Sequence, residues 1–437
     1  MKKVAFHTLG CKVNQYETQA MSEMFKQADY EVVDFEDYAD VYVINTCTVT
    51  SFGDKKSRQI IRRANRTNPE AVIAVAGCYS QISPEETAKI EGVSVIVGTK
   101  DRNNIVQFVE EAFLGKKHFK VSNIMKQHEY EENGFISYSE TTRAFVKIQE
   151  GCQNFCSYCI IPYTRGPVRS RLPENVIKEV NKLADNGFKE VVLTGININS
   201  YGEDVEGVSL LALIEEITKI DAIKRIRLGS INPDLITKDF VKEIKKNEKV
   251  CPHFHISLQS GSDSVLKRMN RKYLASDYKE KIELLRKGIA DVSITTDIMV
   301  GFPSETEKEF KETFEFLEDI SLTRLHVFKY SPRKGTPAAS FVEQVNPQEK
   351  ENRSNALLEL SDKKEKEFHE KYLSREMEVF FEQGLEKKRG FIEGHTSNFI
   401  KVAVQEESDL IGNFAMVKLE KVEKGFVMGL VLKKLLK

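Results

Sequence analysis

A chain of 437 residues is roughly three times the length of an ordinary single-core domain, and its 65 lysines and arginines against 66 aspartates and glutamates leave a formal charge of -1. That balance excludes a histone-like polycation and an acidic disordered tail, so any contact with nucleic acid has to be local. With 41% apolar and 30% charged residues the composition is that of a soluble folded chain; no apolar run reaches the roughly 18 residues of a membrane span and Met1-Lys2-Lys3-Val4-Ala5-Phe6-His7 lacks a hydrophobic signal region, so a cytoplasmic location and no membrane partner are expected.

The first apolar runs, at residues 4–9, 41–45 and 72–76, are short and β-branched, and each precedes a longer amphipathic segment. That βαβαβ rhythm predicts a parallel sheet with helical crossovers, whose ligands bind beyond the carboxyl ends of the strands. Each of those ends carries a cysteine: Cys11 in TLGC, Cys47 in INTC and Cys78 in VAGC. The three are too far apart in sequence to form a motif by spacing. A parallel sheet would bring them to one edge, as ligands of one centre or as three buried small hydrophobes, and Gly10 and Gly77 beside them favour ligation by letting the backbone turn tightly. Lys55, Arg58, Arg62 and Arg66 recur at i, i+3, i+7 and i+11 of the helix predicted after Cys47, with Lys56 and Arg63 beside them and Ile60 and Ile61 opposite. Such a stripe is either a solvated helix face or a surface that neutralises RNA phosphates. Residues 1–115 therefore read as an N-terminal α/β domain, and the polar stretch 116–142 as a linker with room for a short strand.

Six strand-like runs follow, at residues 144–149, 190–195, 225–230, 253–259, 293–301 and 324–330, with helix-patterned segments between them. Six βα units without hairpin signals predict an incomplete parallel barrel with its chemistry at the C-terminal strand ends. With a charged helical extension at about 346–372, this unit covers 143–372. Residues 373–437 change character: five short strand-like runs separated by turns predict a small OB-like β-barrel, an architecture often used to hold oligonucleotides. Residues 375–437 hold 11 basic and 10 acidic residues, a net +1, so RNA contact there would need a patch or stacking aromatics; Phe399, Tyr372 and Phe426 are candidates that read first as core.

The strongest local signal directly follows the first strand of the central unit: Cys152, Cys156 and Cys159, a C-x3-C-x2-C set. A structural zinc wants four ligands, and the next candidates are as distant as His253 and His255. An iron–sulfur cubane on three cysteines keeps one iron open for a substrate or cofactor. Three readings stand on spacing alone: an iron–sulfur cluster, a zinc site and unligated core thiols. The second of these would make the chain a zinc-stabilised RNA-binding module without catalysis. Cys251 is left over and reads as a structural thiol.

The C-x3-C-x2-C set, with Tyr158 before its last cysteine, is similar to the radical S-adenosylmethionine (SAM) signature. The match extends through TLGCKVNQYET (8–18), NTCTVT (45–50), AGCYSQ (76–81), EGCQNFCSYCIIPYTRGPVRSR (150–171), LTGININSYG (193–202), HISLQSGSDSVLKRMNRKY (255–273), TDIMVGFPSET (296–306) and SPRKGTPAA (331–339). Over nearly its whole length the chain resembles the radical SAM methylthiotransferases, and the wording after Cys11 is most like the branch acting on threonylcarbamoyladenosine beside the tRNA anticodon, at position 37. The sister substrates of the family are isopentenyladenosine of tRNA and a ribosomal protein. The resemblance implies a three-layer α/β N-terminal domain, a partial (βα)6 radical SAM barrel and a C-terminal TRAM domain that binds RNA. It implies a [4Fe-4S] cluster on Cys152, Cys156 and Cys159 whose open iron binds SAM. A second, auxiliary [4Fe-4S] cluster on Cys11, Cys47 and Cys78 would carry the sulfur to C2 of the adenine. One SAM yields a radical and a second yields the methyl group; a one-electron donor of flavodoxin or ferredoxin type is implied, and a sulfur donor that the sequence does not name. Polar groups at neighbouring strand ends would grip SAM: Tyr158, Gly195, Asn197, Ser230, Gln259 and Asp297, with Gly301 leaving room for the adenine. Asn232 stands where the branch often has Glu, and Ser304 where Gly is usual.

Overall fold

The computed structural model describes residues 1–132, 142–386, 388–407 and 409–435. Its first sheet is built from β1 (Lys3–Thr8), β2 (Glu31–Val33), β3 (Val41–Thr46), β4 (Val72–Gly77), β5 (Val93–Val97) and β6 (His118–Lys120), all parallel in the order β2-β1-β3-β4-β5-β6. β3 and β4 are buried at every residue, because helices cover both faces. Tyr42, Ile44, Ile73 and Val75 pack toward Ile60 and Ile61 on one side, and Val43 and Ala74 toward Met21, Phe25 and Phe108 on the other. The three expected strands are present. β2 and β5 were not anticipated, while the short strand allowed for in the linker joins the sheet as β6; β2 and β6 are three residues long, too short to show a period. β6 lies inside the stretch read as a linker, and residues 133–141 of that stretch lie outside the described residues.

The central unit contains β7 (Arg143–Glu150), β8 (Arg169–Ser170), β9 (Glu190–Gly195), β10 (Arg225–Leu228), β11 (His253–His255), β12 (Ser293–Val300) and β13 (Arg324–Lys329). β7, β9 and β10 pair in parallel, as do β11, β12 and β13. The bridges Ile226↔Val250 and Ile231↔Ile256 join the two sets, giving an arc of six parallel strands. The two-residue β8 pairs antiparallel on the outer side of β7, and among the described residues no pairing joins β13 back to β7. The arc is a partial barrel, as the six βα units predict. The helix Pro347–Glu370 packs on β13 through Ser361, whose hydroxyl accepts from Leu325 N at 3.0 Å.

β14 (Glu376–Gly384), β15 (Phe391–Thr396), β16 (Lys401–Gln405), β17 (Phe414–Glu423) and β18 (Phe426–Leu435) form a closed barrel in the order β14-β15-β16-β18-β17. It is docked by arginines of β10. Arg227 donates to the carbonyls of Thr396 and Ser397 at 2.8 Å, and Arg225 to that of His395 at 2.9 Å. Phe399 inserts its ring between the imidazoles of His253 and His395, with centroids 4.4 Å away on each side. Phe399 is thus engaged inside the protein, and Tyr372 is buried, as their reading as core predicts. Among the described residues no helix is long and apolar enough to cross a membrane.

Candidate active site

β1, β3 and β4 are neighbours whose ends are level, with Thr8 opposite Asn45 and Thr46 opposite Gly77. The cysteine after each end therefore lands on one rim. Cys11 precedes the helix Lys12–Gln27, Cys47 follows β3, and Cys78 opens the short helix Cys78–Ile82. Two glycines make the convergence possible. Gly10 has φ +106°, and a Cβ on it would lie 3.1 Å from Cys47 Sγ. Gly77 has φ +98°, and a Cβ would lie 2.5 Å from Asn45 Oδ1 and 2.6 Å from Thr46 O. Only glycine takes this left-handed geometry at low cost. The three sulfurs sense one another: burial pushes the Cys78 thiol up to about 11, Arg165 opposes it, and the charges of Cys47 and Cys11 add to it.

The second trio follows β7. Cys156 is buried, Cys152 and Cys159 half-buried, and the N–H of Cys159 donates to Cys156 O at 3.0 Å. Burial pushes the Cys159 thiol up to about 12, with Cys156 adding to it. Bare thiols in such surroundings stay protonated at neutral pH, so ligation would release protons as thiolates form. Among the described residues no three His, Cys, Asp or Glu side chains stand close enough to share one metal ion; in a cubane each sulfur takes its own iron.

Each trio faces one guanidinium. Arg165 Nε donates to Cys78 Sγ at 3.3 Å, and Arg271 Nη1 to Cys156 Sγ at 3.4 Å. A buried cation donating to sulfur suits an anionic thiolate-ligated cluster, whose potential depends on such hydrogen bonds, so the residues present at each trio would fit such a group. Arg165 also bonds Glu17 and Asn14 at 2.5 Å and Glu150 at 2.6 Å. Lys147 bonds Glu17 at 3.1 Å and Glu150 at 2.9 Å. Burial would raise both carboxyls, but Arg102, Arg165 and Lys147 outweigh it and hold Glu17 and Glu150 below the usual carboxylate range. This network joins the N-terminal domain to the central arc directly behind the first trio.

Two cavities open at the strand ends. The smaller, about 220 Å³, is lined by Val49 and Thr50, by Tyr158 and Cys159, and by Gln259 and Asp297. The larger, about 460 Å³, occupies the lumen of the arc and shares Asp297 and Phe328 with the smaller. Of the positions expected to grip SAM, Tyr158, Gln259 and Asp297 meet beside Cys159, and Ser230 lines the lumen. Gly195 and Asn197 sit together at the end of β9, where Asn197 N donates to Gln149 Oε1 at 2.8 Å. Gly301 lies apart: its N–H donates to Glu305 at 2.6 Å, and the Lys350 stem lies 2.3 Å from where a Cβ would be. Asn232 accepts from Arg271 at 3.0 Å and donates to Asn197 at 3.1 Å. Along the basic stripe Lys55, Arg62 and Arg66 are exposed, whereas Arg58 is half-buried and donates to the Tyr79 hydroxyl at 3.4 Å. Arg165, Arg271 and Lys12 were not singled out from sequence, although all three lie inside the matching stretches; nothing short of the fold shows that their side chains reach a sulfur or the lumen.

A partial parallel barrel with three cysteines after its first strand defines the radical SAM class. The Radical SAM superfamily model matches residues 146–317, and the model described as Uncharacterized protein family UPF0004 matches residues 3–98. The chain is 46% identical over 426 residues to threonylcarbamoyladenosine tRNA methylthiotransferase MtaB of Bacillus subtilis (strain 168), covering 96% of this chain and 94% of that one. It is 44% identical to the protein of the same name from Aquifex aeolicus (strain VF5), covering 86% and 92%. It is 35% identical to tRNA-2-methylthio-N(6)-dimethylallyladenosine synthase of Clostridium botulinum (strain Langeland / NCTC 10281 / Type F), covering 97% and 95%. Among solved structures, the radical SAM methyltransferase TsrM of Kitasatospora setae, with cobalamin and a [4Fe-4S] cluster bound, shares the fold at TM-score 0.59 with 14% identity over 77% of each chain. The chain belongs to the tRNA methylthiotransferase family of radical SAM enzymes, and that class binds a [4Fe-4S] cluster and SAM.

Proposed function

We propose that this enzyme converts N6-threonylcarbamoyladenosine at position 37 of tRNA, next to the anticodon, to its 2-methylthio derivative. Cys152, Cys156 and Cys159 hold the radical cluster; Cys11, Cys47 and Cys78 hold an auxiliary cluster that carries the sulfur. When bound, these groups and SAM supply the radical, the sulfur and the methyl group, with the electron coming from an external flavodoxin- or ferredoxin-type donor. The observation that carries this reading is the shared small cavity: Val49 and Thr50, just past Cys47, line the same space as Cys159, Gln259 and Asp297. Its apolar walls, Val49, Met299 and Phe328 among them, keep water from a carbon radical. Tyr158, Gln259 and Asp297 orient SAM there, with Gly195, Asn197 and Ser230 as the remaining expected contacts; Gly301, against which the Lys350 stem packs, is not one of them. Lys55, Arg58, Arg62 and Arg66 hold the tRNA backbone, and residues 373–437 act as the RNA-binding TRAM domain. The relatives favour the substrate: identity is 46% and 44% to the threonylcarbamoyladenosine enzymes and 35% to the dimethylallyladenosine enzyme.

Mass spectrometry of tRNA nucleosides from cells with and without the gene tests the substrate. The 2-methylthio form of threonylcarbamoyladenosine should vanish on deletion; its persistence would refute the assignment. Reconstituted protein should carry about eight irons, from two four-iron clusters. Cys11→Ala should lose sulfur insertion yet still cleave SAM, and equal loss of cleavage would count against two separate clusters.

A further inference from the structure

The lumen cavity is lined by five lysines and arginines, Lys12, Arg143, Arg227, Arg324 and Lys401, against two carboxylates, Asp297 and Glu365. Four of the five cations have carboxylates of their own. Arg143 pairs with Glu382 at 2.7 Å, Arg227 with Glu190 at 2.7 Å, Arg324 with Glu365 at 3.1 Å and Lys401 with Glu393 at 3.0 Å. Asp297 is engaged by His255 Nε2 at 3.2 Å. Lys12 differs. Its Nζ stands 5.9 Å from the centre of the Phe145 ring, and among the described residues no carboxylate lies within ion-pair distance of it. Lys12 is solvent-exposed and lines the cavity, near the charges of Arg143 and Arg227. An exposed lysine on a cavity wall, beside two arginines and without a carboxylate of its own, is placed to meet an anion on a ligand.

We propose that the lumen receives the N6 substituent of the substrate adenosine and that Lys12 pairs with its terminal carboxylate, which makes Lys12 a specificity-determining residue; this rests on the substrate reading above. Lys12 directly follows Cys11, so the cation is fixed beside the trio assigned to the sulfur-bearing cluster. Asp297 and Phe328 belong to both cavity walls, so a group anchored beside Cys159 leads into the lumen. On the adenine ring C2 and C6 flank N1, so a base that turns C2 to the first trio sends its N6 substituent off an adjoining edge. A threonylcarbamoyl group ends in one carboxylate. An isopentenyl group has none, and would leave Lys12 unpaired against Arg143 and Arg227. The cation thus favours the acidic substituent and disfavours the apolar one.

The test uses reconstituted full-length protein and an anticodon stem-loop RNA in three forms: with threonylcarbamoyladenosine at the modified position, with its threonine methyl ester, and with unmodified adenosine. Lys12→Met should weaken binding of the acid form about tenfold to a hundredfold, the scale of one lost charged hydrogen bond. It should leave the unmodified form unchanged, and Lys12→Arg should restore most of the preference. With wild-type protein the ester should bind weaker than the acid by a similar factor, an arm that needs no variant to fold. Equal weakening of acid and unmodified RNA by Lys12→Met would overturn the proposal by placing Lys12 on a backbone phosphate, and so would an ester that binds wild-type protein as tightly as the acid. Failure of the substrate reading itself appears separately, in the nucleosides of the deletion strain.

Discussion

Arg165 shows what a single side chain does here. It is fully buried and holds Glu17, Glu150, Asn14 and Cys78 at once, so it tethers the sheet that carries one trio to the strand that leads into the other. Removing it would leave two buried carboxylates facing each other with less compensation. Arg165→Met should therefore cost about 3–5 kcal/mol, read from denaturant unfolding; a loss under about 1 kcal/mol would show that the network is dispensable. Ser304 is a smaller case. Its φ of +61° lies in the left-handed region that costs an L-residue roughly 1 kcal/mol. Ser304→Gly should raise the melting temperature, part of the gain being offset by glycine's extra freedom in the unfolded chain. The cysteines were legible in the sequence because thiols are few and their spacing is chemical. The arginines were not, since an arginine in a motif looks alike whether it meets sulfur, phosphate or water.

The turns after β1 and β4 decide whether the first trio can converge. At Gly77 a methyl group would collide with Asn45 and Thr46, so Gly77→Ala should destabilise the protein by about 1–3 kcal/mol and lower the iron bound by the N-terminal domain. Full iron content with unchanged stability would remove the turn from the account. The helix Ser51–Thr67 buries Ser57, Ile60, Ile61 and Ala64 and leaves Lys55, Arg62 and Arg66 in solvent, the division its periodicity predicts. If these three neutralise phosphates, replacing all of them with Gln should flatten the salt dependence of tRNA binding by about three in slope. A slope unchanged within error would make them a solvated face. β3 and β4 could be read from the chain because strands buried on both faces are near-continuous apolar runs, and β1 by its short β-branched run ahead of an amphipathic segment. β2 could not, because a three-residue edge strand owes its existence to a neighbour's hydrogen bonds, and the short strand expected in the linker could not be assigned to this sheet for the same reason.

At the scale of the molecule, the C-terminal barrel closes one side of the lumen, and histidines gather at that junction. His369 is pushed down from the ordinary 6.5 to about 4 by burial, with the Arg324 charge adding to it. His253 and His326 are lowered by burial too, then by Arg227 and by His255 respectively. A histidine whose folded pKa is depressed stays neutral in the fold while the unfolded chain takes up the proton. Its contribution is complete above 6.5 and is lost as the pH falls from 6.5 toward about 4. The melting temperature should drop across that window, and His369→Phe should shallow the drop; an identical slope in the variant would put the acid lability elsewhere.

Local pattern in the sequence determined the three units, the six βα repeats, the two cysteine trios and the basic helix face, because burial period, turn glycines and thiol spacing are written within a few residues of one another. Tertiary structure alone decided that the loops after Cys47 and Cys159 share one cavity, that Phe399 closes the lumen instead of stacking on RNA, and that Lys12 faces that lumen without a carboxylate of its own. Those facts depend on residues brought together from opposite ends of the chain, and a charge's surroundings are set by what packs against it, which no stretch of sequence records.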